Sequence, residues 1–360
     1  MSTLKVDAIR HNSATSDAIT THSDGTASVK AVDVGGGPLS HRNLIINGQF
    51  LVWQRATDSG SNTTDGYLTC DRWYHASSGA TKQVTRQTFS PGQTDVPDNP
   101  KYYLRFAVTT GNNNVSLGQR IEGVERVQGE YTLSFWVKGT NPPGGQYSII
   151  NRQDFGSGGS VSSVVDTGVG NFTVTSSWVK KTFTFTPPSI SGKTLGTTHS
   201  GFYECQVFRQ PAGDNGTSAY TIDIANVQFE RGSVSTKYEQ RTHGEELSNC
   251  QRYYYRIEHD PAYSEITVGT MHQNGAYGVC TLQNPVPMRT KPSITVPTVT
   301  DAYSFYYSGT VNRSNTISLS GNADNLFIEL SHTNYSATNG VAGILRITNA
   351  SAYIEVHSEL

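Results

Sequence analysis

Apolar and polar positions alternate with a period of two through the middle of this chain. Val115, Leu117, Gln119 and Ile121 form one such run, and Tyr131, Leu133, Phe135 and Val137 another. Val179, Lys181, Phe183 and Phe185 form a third, and Tyr220, Ile222 and Ile224 a fourth. Residues 102–108 and 202–208 read as further strands. Successive side chains of a strand point to opposite faces, so this pattern buries one face and wets the other, as in antiparallel sheets. Turn-forming stretches separate the runs: Thr109-Thr110-Gly111-Asn112, Gly139-Thr140-Asn141-Pro142-Pro143-Gly144-Gly145 and Pro187-Pro188. Many short strands punctuated by Gly and Pro predict a β-sandwich or barrel. Residues 156–170 are polar and Gly-rich and read as a mobile loop.

The pattern changes on either side. Residues 1–42 form an arm: 4–9 alternate as a strand, Ser23-Asp24-Gly25-Thr26 reads as a tight turn, 28–34 as a second strand, and Gly35-Gly36-Gly37-Pro38 as a hinge. So short a segment has too little apolar surface to fold alone. It packs on a partner through Leu4, Val6 and Ile9, it packs on the larger body of the chain, or it is a loose tail. Residues 240–257 predict the chain's one helix: Thr242 and Glu245 have capping-box spacing, and Leu247, Cys250 and Tyr254 share a helical face. That face, with Leu247 and Tyr254, bridges two β units or forms an oligomer seam. Residues 258–360 return to strands, at 266–271, 276–282, 294–296, 304–307, 327–330, 343–347 and 352–356.

Composition narrows the class. Hydrophobic residues are 35% of the chain and charged residues 16%, with 35 Gly and 19 Tyr. Ser, Thr, Asn and Gln replace the missing charge, which suits an all-β protein with many loops. The net charge of −2 and the lack of a basic stripe argue against nucleic acid as a partner. No apolar run reaches the ~20 residues of a membrane-spanning helix, so no membrane insertion is expected. Cys70, Cys205, Cys250 and Cys280 show no metal-ligand spacing and read as buried free thiols of a protein made in a reducing cytoplasm.

Catalytic chemistry has no clear bearer. There is no nucleophile elbow, phosphate-binding loop or zinc-protease motif. Glu122 with Glu125, and Glu245 with Glu246, are explained by solvation and by the helix dipole. No catalytic residue is therefore assigned. Aromatic residues are the better lead, because an exposed Trp or Tyr offers a flat apolar platform to a sugar ring. Trp136 stands out of phase with Phe135 in its strand and so points to the other face. Tyr303, Tyr306, Tyr307 and Tyr335 lie in Tyr-rich C-terminal segments. These five are the candidate carbohydrate-binding residues, with core packing as the competing reading. A jelly-roll module can hold a structural Ca²⁺ through oxygen ligands. Asn47, Asp71 and Asp223 are the candidates for that, and no other cofactor is expected.

The order of motifs carries a resemblance. Asn43-Leu44-Ile45-Ile46-Asn47-Gly48-Gln49-Phe50, Trp53-Gln54-Arg55 and Cys70-Asp71-Arg72-Trp73 look like the opening of a domain in tailed-phage fibre and other virion proteins. Tyr131-Thr132-Leu133-Ser134-Phe135-Trp136-Val137-Lys138-Gly139 resembles its central strand. Val227-Gln228-Phe229-Glu230-Arg231-Gly232, with Thr236 and Tyr238-Glu239, resembles its closing strand. Glu246-Leu247-Ser248-Asn249-Cys250-Gln251-Arg252-Tyr253-Tyr254 resembles the helix that follows, and residues 285–292 a recurring element of the terminal domain.

The resemblance implies an all-β chain: a carbohydrate-binding-module-like jelly-roll β-sandwich, a short helix and a second β-sandwich-like domain. The expected divisions are an anchoring arm at 1–42, the jelly roll at 43–240, a linking helix at 241–257 and a C-terminal β domain at 258–360. It further implies a homotrimeric tail or capsid fibre of the virion. The arm would hold other virion proteins, and the β domains would meet a host-surface glycan. A capsid decoration protein is the alternative, and a glycan depolymerase a remoter one.

Overall fold

The computed structural model describes residues 6–9, 19–21, 23, 27–29, 41–110, 115–209, 219–259, 264–272, 277–331 and 339–360. The chain divides into two compact units. One comprises Met1–Gln49, Gly60–Thr64 and His75–Gln240, and the other Phe50–Ser59, Asp65–Tyr74 and Arg241–Leu360. The segments Phe50–Ser59 and Asp65–Tyr74 thus leave the expected 43–240 domain for the second unit.

In the arm, β1 (Ala8–Ile9), β2 (Ile19–Thr21) and β3 (Ala27–Val29) form a small antiparallel sheet. The strand β2 was not anticipated. Leu4, the Gly35–Pro38 hinge and most of the 23–26 turn lie outside the described residues. Val6 and Ile9 are exposed.

The sandwich is built from β4 (Tyr74–Ser77), β5 (Thr81–Thr88), β6 (Tyr102–Thr110), β7 (Val115–Glu122), β8 (Tyr131–Gly139), β9 (Tyr147–Asp154), β10 (Val165–Phe172), β11 (Val179–Phe185), β12 (Phe202–Arg209) and β13 (Tyr220–Arg231). One sheet has the order β10-β9-β12-β7-β4 and the other β11-β8-β13-β6-β5. The chain crosses repeatedly between them, which gives the jelly-roll connectivity. Inward-facing aromatics join the two layers: Phe106 meets Phe208 at 5.1 Å, Phe135 meets Phe172 at 5.5 Å and Tyr203 stacks on Phe229 at 5.8 Å. Each such side chain removed from water contributes about 1.5–3 kcal/mol. The expected mobile loop is half strand: β10 pairs with β9 through a bulge at Gly168/Gly170. Gly170 lies against the Phe183 ring, where a Cβ would sit 3.1 Å from it.

Hydrogen bonds between the two ends of this domain explain their motif-like sequences. Asn43 Nδ2 donates to the Val227 carbonyl at 3.1 Å, while its Oδ1 accepts from the Phe229 and Ile45 amides at 3.0 Å. Leu44 N donates to Phe229 O at 2.9 Å and Val227 N to Gly48 O at 3.0 Å. A Cβ on Gly48 would stand 2.3 Å from the Val227 carbonyl, so only glycine permits the approach. The side-chain amide of Asn43 acts as a strand would, satisfying the backbone groups of β13 that pairing leaves open.

In the second unit, α1 (His243–Gln251) is capped by Thr242, whose Oγ1 accepts from Glu245 N at 3.2 Å. The helix is about half the expected length. Tyr254 belongs to β14 (Tyr254–Glu258), which pairs with β23 (Tyr353–His357). Aromatic residues favour strands, and a distant partner strand overrides the helical spacing. β15 (Ser264–His272), β16 (Tyr277–Gln283), β17 (Ser293–Thr295), β18 (Tyr303–Tyr307), β19 (Thr310–Ser314), β20 (Ser318–Gly321), β21 (Asn325–Ser331) and β22 (Ala342–Ile347) complete the unit. They form a three-stranded sheet, β14-β23-β17, and a seven-stranded sheet, β19-β18-β22-β15-β16-β21-β20. Tyr255, Met271, Phe305, Ile328, Leu345 and Ile354 are among the residues of their common core.

The Cys70–Trp73 motif belongs to this unit. Trp73 is fully buried against Phe50 at 5.1 Å. Arg72 lies 3.5 Å over the Tyr253 ring and forms an ion pair with Glu359. Arg55 sits 3.4 Å over Tyr254 and pairs with both Asp71 and Glu359. All four cysteines are buried and outside any disulfide.

Candidate functional site

The face of the β11-β8-β13-β6-β5 sheet that points away from the sandwich interior collects half-buried aromatics. Alternation along β8 decides which residues reach it. Leu133, Phe135 and Val137 are buried inside, so Ser134, Trp136 and Lys138 point outward. Trp136 is flanked in register by Lys180 on β11 and by the small Ala225 on β13. Phe89, Tyr103 and Trp178 cluster on the same face, with ring centres 4.8–5.3 Å apart. Lys138 Nζ lies 5.0 Å from the Trp178 ring and 5.5 Å from that of Tyr103.

Next to Trp136 the register between β13 and β8 slips, between Ala225 and Gln228. Between those pairs Asn226 and Val227 of β13 stand opposite Phe135 of β8 alone, so one residue is extra. Asn226 stands at this bulge with φ 48°, in the left-handed region. Bulges of this kind re-aim side chains and often border functional sites. Asn226 is 4% exposed; its Nδ2 donates to Pro97 O at 3.1 Å, and its Oδ1 is buried with no hydrogen-bond partner among the described residues.

The chain after β13 folds back to make a wall. Glu230 holds it: Thr236 N and Oγ1 donate to the Glu230 carboxylate at 2.9 and 2.6 Å. Gln228 Nε2 donates to Glu230 at 2.7 Å, and Glu239 N donates to Gln228 Oε1 at 2.8 Å. Asn43 N in turn donates to Glu239 Oε2 at 2.9 Å. The result is a cleft of about 140 Å³, lined among others by Trp136, Asn226, Gln228, Asp98, Lys180 and Tyr238. Burial lowers the Lys180 ammonium below the usual lysine range, opposed by Glu230 and Asp98. An aromatic plate, a buried amide oxygen and flanking charged and amide groups can hold a polyhydroxylated ligand. The ring covers its apolar face and the polar atoms meet its hydroxyls.

Of the sequence-predicted binding residues, Trp136 alone lies in this cleft. Tyr303 is fully buried and its hydroxyl donates to Tyr353 O at 2.6 Å, while Tyr307 belongs to the same core. Both are core residues rather than platforms, because their strand alternates them inward. Tyr306 faces outward, with the Arg346 guanidinium 4.5 Å from its ring. Tyr335 lies outside the described residues. Tyr254, expected at an oligomer seam, is buried with its hydroxyl donating to Glu355 at 2.8 Å, and Leu247 is half-buried on α1.

The proposed calcium ligands are otherwise engaged. Arg105 Nε and Nη2 donate to Asp223 at 2.8 and 2.9 Å, and Lys138 Nζ is 3.9 Å away. Asp71 accepts from Arg55 at 3.3 Å and from Gln54 Nε2 at 2.8 Å. Asn47 is buried in a turn with φ 59°. The Arg105 and Arg55 guanidinium groups thus meet the Asp223 and Asp71 carboxylates. Among the described residues, no three His, Cys, Asp or Glu side chains gather as around a metal ion. Glu122 and Glu125 line a separate depression of about 170 Å³ with Arg126 and His199.

Sequence reasoning missed Asn226, Gln228, Asp98 and Lys180. The available signal was Ala225-Asn226 inside an otherwise apolar strand, since Asn tolerates the left-handed conformation that a bulge requires.

Residues 43–198 match the family model of a carbohydrate binding domain. That stretch is thus similar to a carbohydrate-binding module. What matches is a binding domain rather than a catalytic one. The match ends before β12 and β13, which complete the two sheets.

Solved structures that the chain matches include a putative sugar binding protein from Bacteroides thetaiotaomicron, at 15% identity over 53% of this chain and 100% of that one, TM-score 0.33. A family 11 carbohydrate-binding module from a cellulosomal cellulase of Clostridium thermocellum matches at 15% identity over 49% of this chain and 97% of that one, TM-score 0.26. The enzymatically active domain of tailspike protein 4 of bacteriophage CBA120 matches at 16% identity over 52% of this chain, TM-score 0.31. The chain spans 21% of that tailspike's length. No curated protein matches the chain.

Proposed function

We propose that this protein is a non-enzymatic glycan-recognition component of a tailed-phage virion, a homotrimeric tail or capsid fibre. Its arm, with Val6 and Ile9 exposed, would hold it to other virion proteins. Its sandwich binds a host-surface glycan in the cleft beside Trp136. The observation that carries the glycan reading is the pairing of that half-buried ring with the unpartnered buried oxygen of Asn226. A folded protein that keeps an unsatisfied buried acceptor gives up stability, and a ligand hydroxyl is the donor that suits it. The polar, weakly charged composition fits a neutral polyhydroxyl ligand better than a polyanion.

The test is a glycan microarray of bacterial surface polysaccharides probed with the whole chain and with Trp136→Ala. Selective binding that the variant loses is expected. No binding across the array, or equal binding by the variant, overturns the reading. Mass spectrometry of purified particles tests the virion assignment, which fails if the chain is absent from them.

A further inference from the structure

The second unit holds a recess of its own. Along β23, Ile354 and Val356 are buried in the core, so alternation turns Glu355 and His357 outward. The segments Phe50–Ser59 and Asp65–Tyr74 add Arg55, Tyr67 and Leu68 to the lining, and Glu359 completes it. The recess holds about 380 Å³. Small-molecule sites usually occupy ~300–1,000 Å³.

Its polar groups hold one another in place. Arg55 pairs with Asp71 at 3.3 Å and with Glu359 at 3.2 Å, and its guanidinium lies 3.4 Å over the Tyr254 ring. Arg72 also pairs with Glu359. The Tyr254 hydroxyl donates to Glu355 Oε1 at 2.8 Å, and Arg256 Nη1 stands 3.5 Å from the same oxygen. Arg256 meets Glu258 as well, at 2.8 Å. Side chains fixed in this way lose little freedom when a ligand arrives.

Hydrogen-bonding capacity is left over. Glu355 Oε2 accepts no hydrogen bond among the described residues; His357 Nε2 is 3.7 Å away, beyond hydrogen-bond range. That Nε2 is itself buried without a hydrogen-bond partner among the described residues. Arg55 gives N–H groups to Asp71 and Glu359 and keeps others, since a guanidinium has more donors than these two bonds use. The Tyr67 ring and Leu68 supply apolar surface beside them. A charged ligand would compete with the existing ion pairs, because each guanidinium here already faces a carboxylate. Neutral hydroxyls need only what the pairs leave free.

We propose that this recess is a second saccharide site, which takes a single neutral sugar residue. The sugar's hydroxyls meet Glu355 Oε2 and the spare Arg55 donors, and its apolar face meets Tyr67 and Leu68. Glycan recognition thereby extends to the second unit, on groups that owe nothing to the cleft beside Trp136.

The test uses the full chain carrying Trp136→Ala, so that the cleft is disabled. Saturation-transfer NMR is run with the methyl glycosides of glucose, galactose, mannose and N-acetylglucosamine. Saturable transfer to at least one of them is expected, with Kd on the order of 1 mM. Glu355→Gln keeps the side chain's shape and should weaken that glycoside about tenfold, the loss of one charge-assisted hydrogen bond. Leu68→Trp fills the recess and should abolish the transfer, with circular dichroism unchanged. The nearly isosteric Glu355→Gln keeps the test open if Leu68→Trp does not fold. Transfer to none of the four glycosides overturns the second site. So does binding that either folded variant leaves unchanged. Inorganic sulfate should give no thermal stabilisation that Leu68→Trp removes; if it does, and no glycoside binds, the recess takes anions and the sugar site falls. Millimolar binding is too weak to hold an array spot, so the array reports on the cleft and this titration on the recess.

Discussion

Replacing Asn226 with glycine separates function from stability at the cleft. Asn226 holds φ at 48°, which costs a non-glycine residue about 1 kcal/mol. It also buries an unpartnered Oδ1, and removing that atom returns at least ~1 kcal/mol. Against this, glycine loses the Nδ2 bond to Pro97 O, worth about 1 kcal/mol, and its unfolded-state freedom costs a further ~0.5–1 kcal/mol. The terms nearly cancel, so Asn226→Gly should unfold within about 1 kcal/mol of the wild type. Glycan binding should behave differently. Loss of an acceptor that a ligand hydroxyl uses costs ~1.4 kcal/mol, about a tenfold weaker Kd. Urea unfolding followed by tryptophan fluorescence measures the first quantity, and isothermal titration with an array-positive glycan the second. If the variant is destabilised by more than ~2 kcal/mol, or binds as tightly as the wild type, Asn226 serves the fold and the cleft has been misread.

Three other outcomes follow from the structure. Burial pushes the Asp71 carboxyl up to about 6, with Arg55 and Gln54 pulling it back down. The folded chain therefore holds that proton more tightly than the unfolded chain. This contribution is full below about pH 4 and is lost as pH rises through about 6, by up to ~3 kcal/mol; urea midpoints of wild type and Asp71→Asn at pH 4 and 7 should converge in slope only if Asp71 is not its source. Gly48→Ala places a Cβ 2.3 Å from the Val227 carbonyl and should cost about 3 kcal/mol, read by thermal unfolding; a loss below ~1 kcal/mol would mean that the end-to-end closure yields easily. Adding EDTA should leave Tm unchanged, because arginines already neutralise Asp71 and Asp223; a lower Tm that calcium restores would show that a cation contributes to the fold.

Strand positions were legible because alternation is a local property: Leu133, Phe135 and Val137 point inward and Trp136 outward whatever partners they find. The helix was overread because Tyr254 answers to β23, a hundred residues away, and no local spacing records that. Composition alone could not sort the tyrosines. Tyr303 and Tyr306 stand three residues apart on one strand, and only the strand's phase against its core sends one inward and the other out. The cleft depended on register. Asn226 reaches it only because β13 takes one residue more than β8 at the bulge, a relation between two segments rather than a feature of either.

The motif-like ends illustrate the same division from the other side. Asn43, Gly48, Gln228 and Glu230 are tied into the closure of the sandwich by hydrogen bonds or by lack of space, so changing any of them disturbs the fold first. Such residues give a sequence its resemblance, and they say little about which ligand is bound. Trp136 and Lys180 stand beside that framework, on faces that alternation leaves outside the core. Substitutions there can alter the ligand without undoing the closure. Ligand preference should therefore follow these positions, and two chains sharing the closing motifs can be expected to bind different glycans.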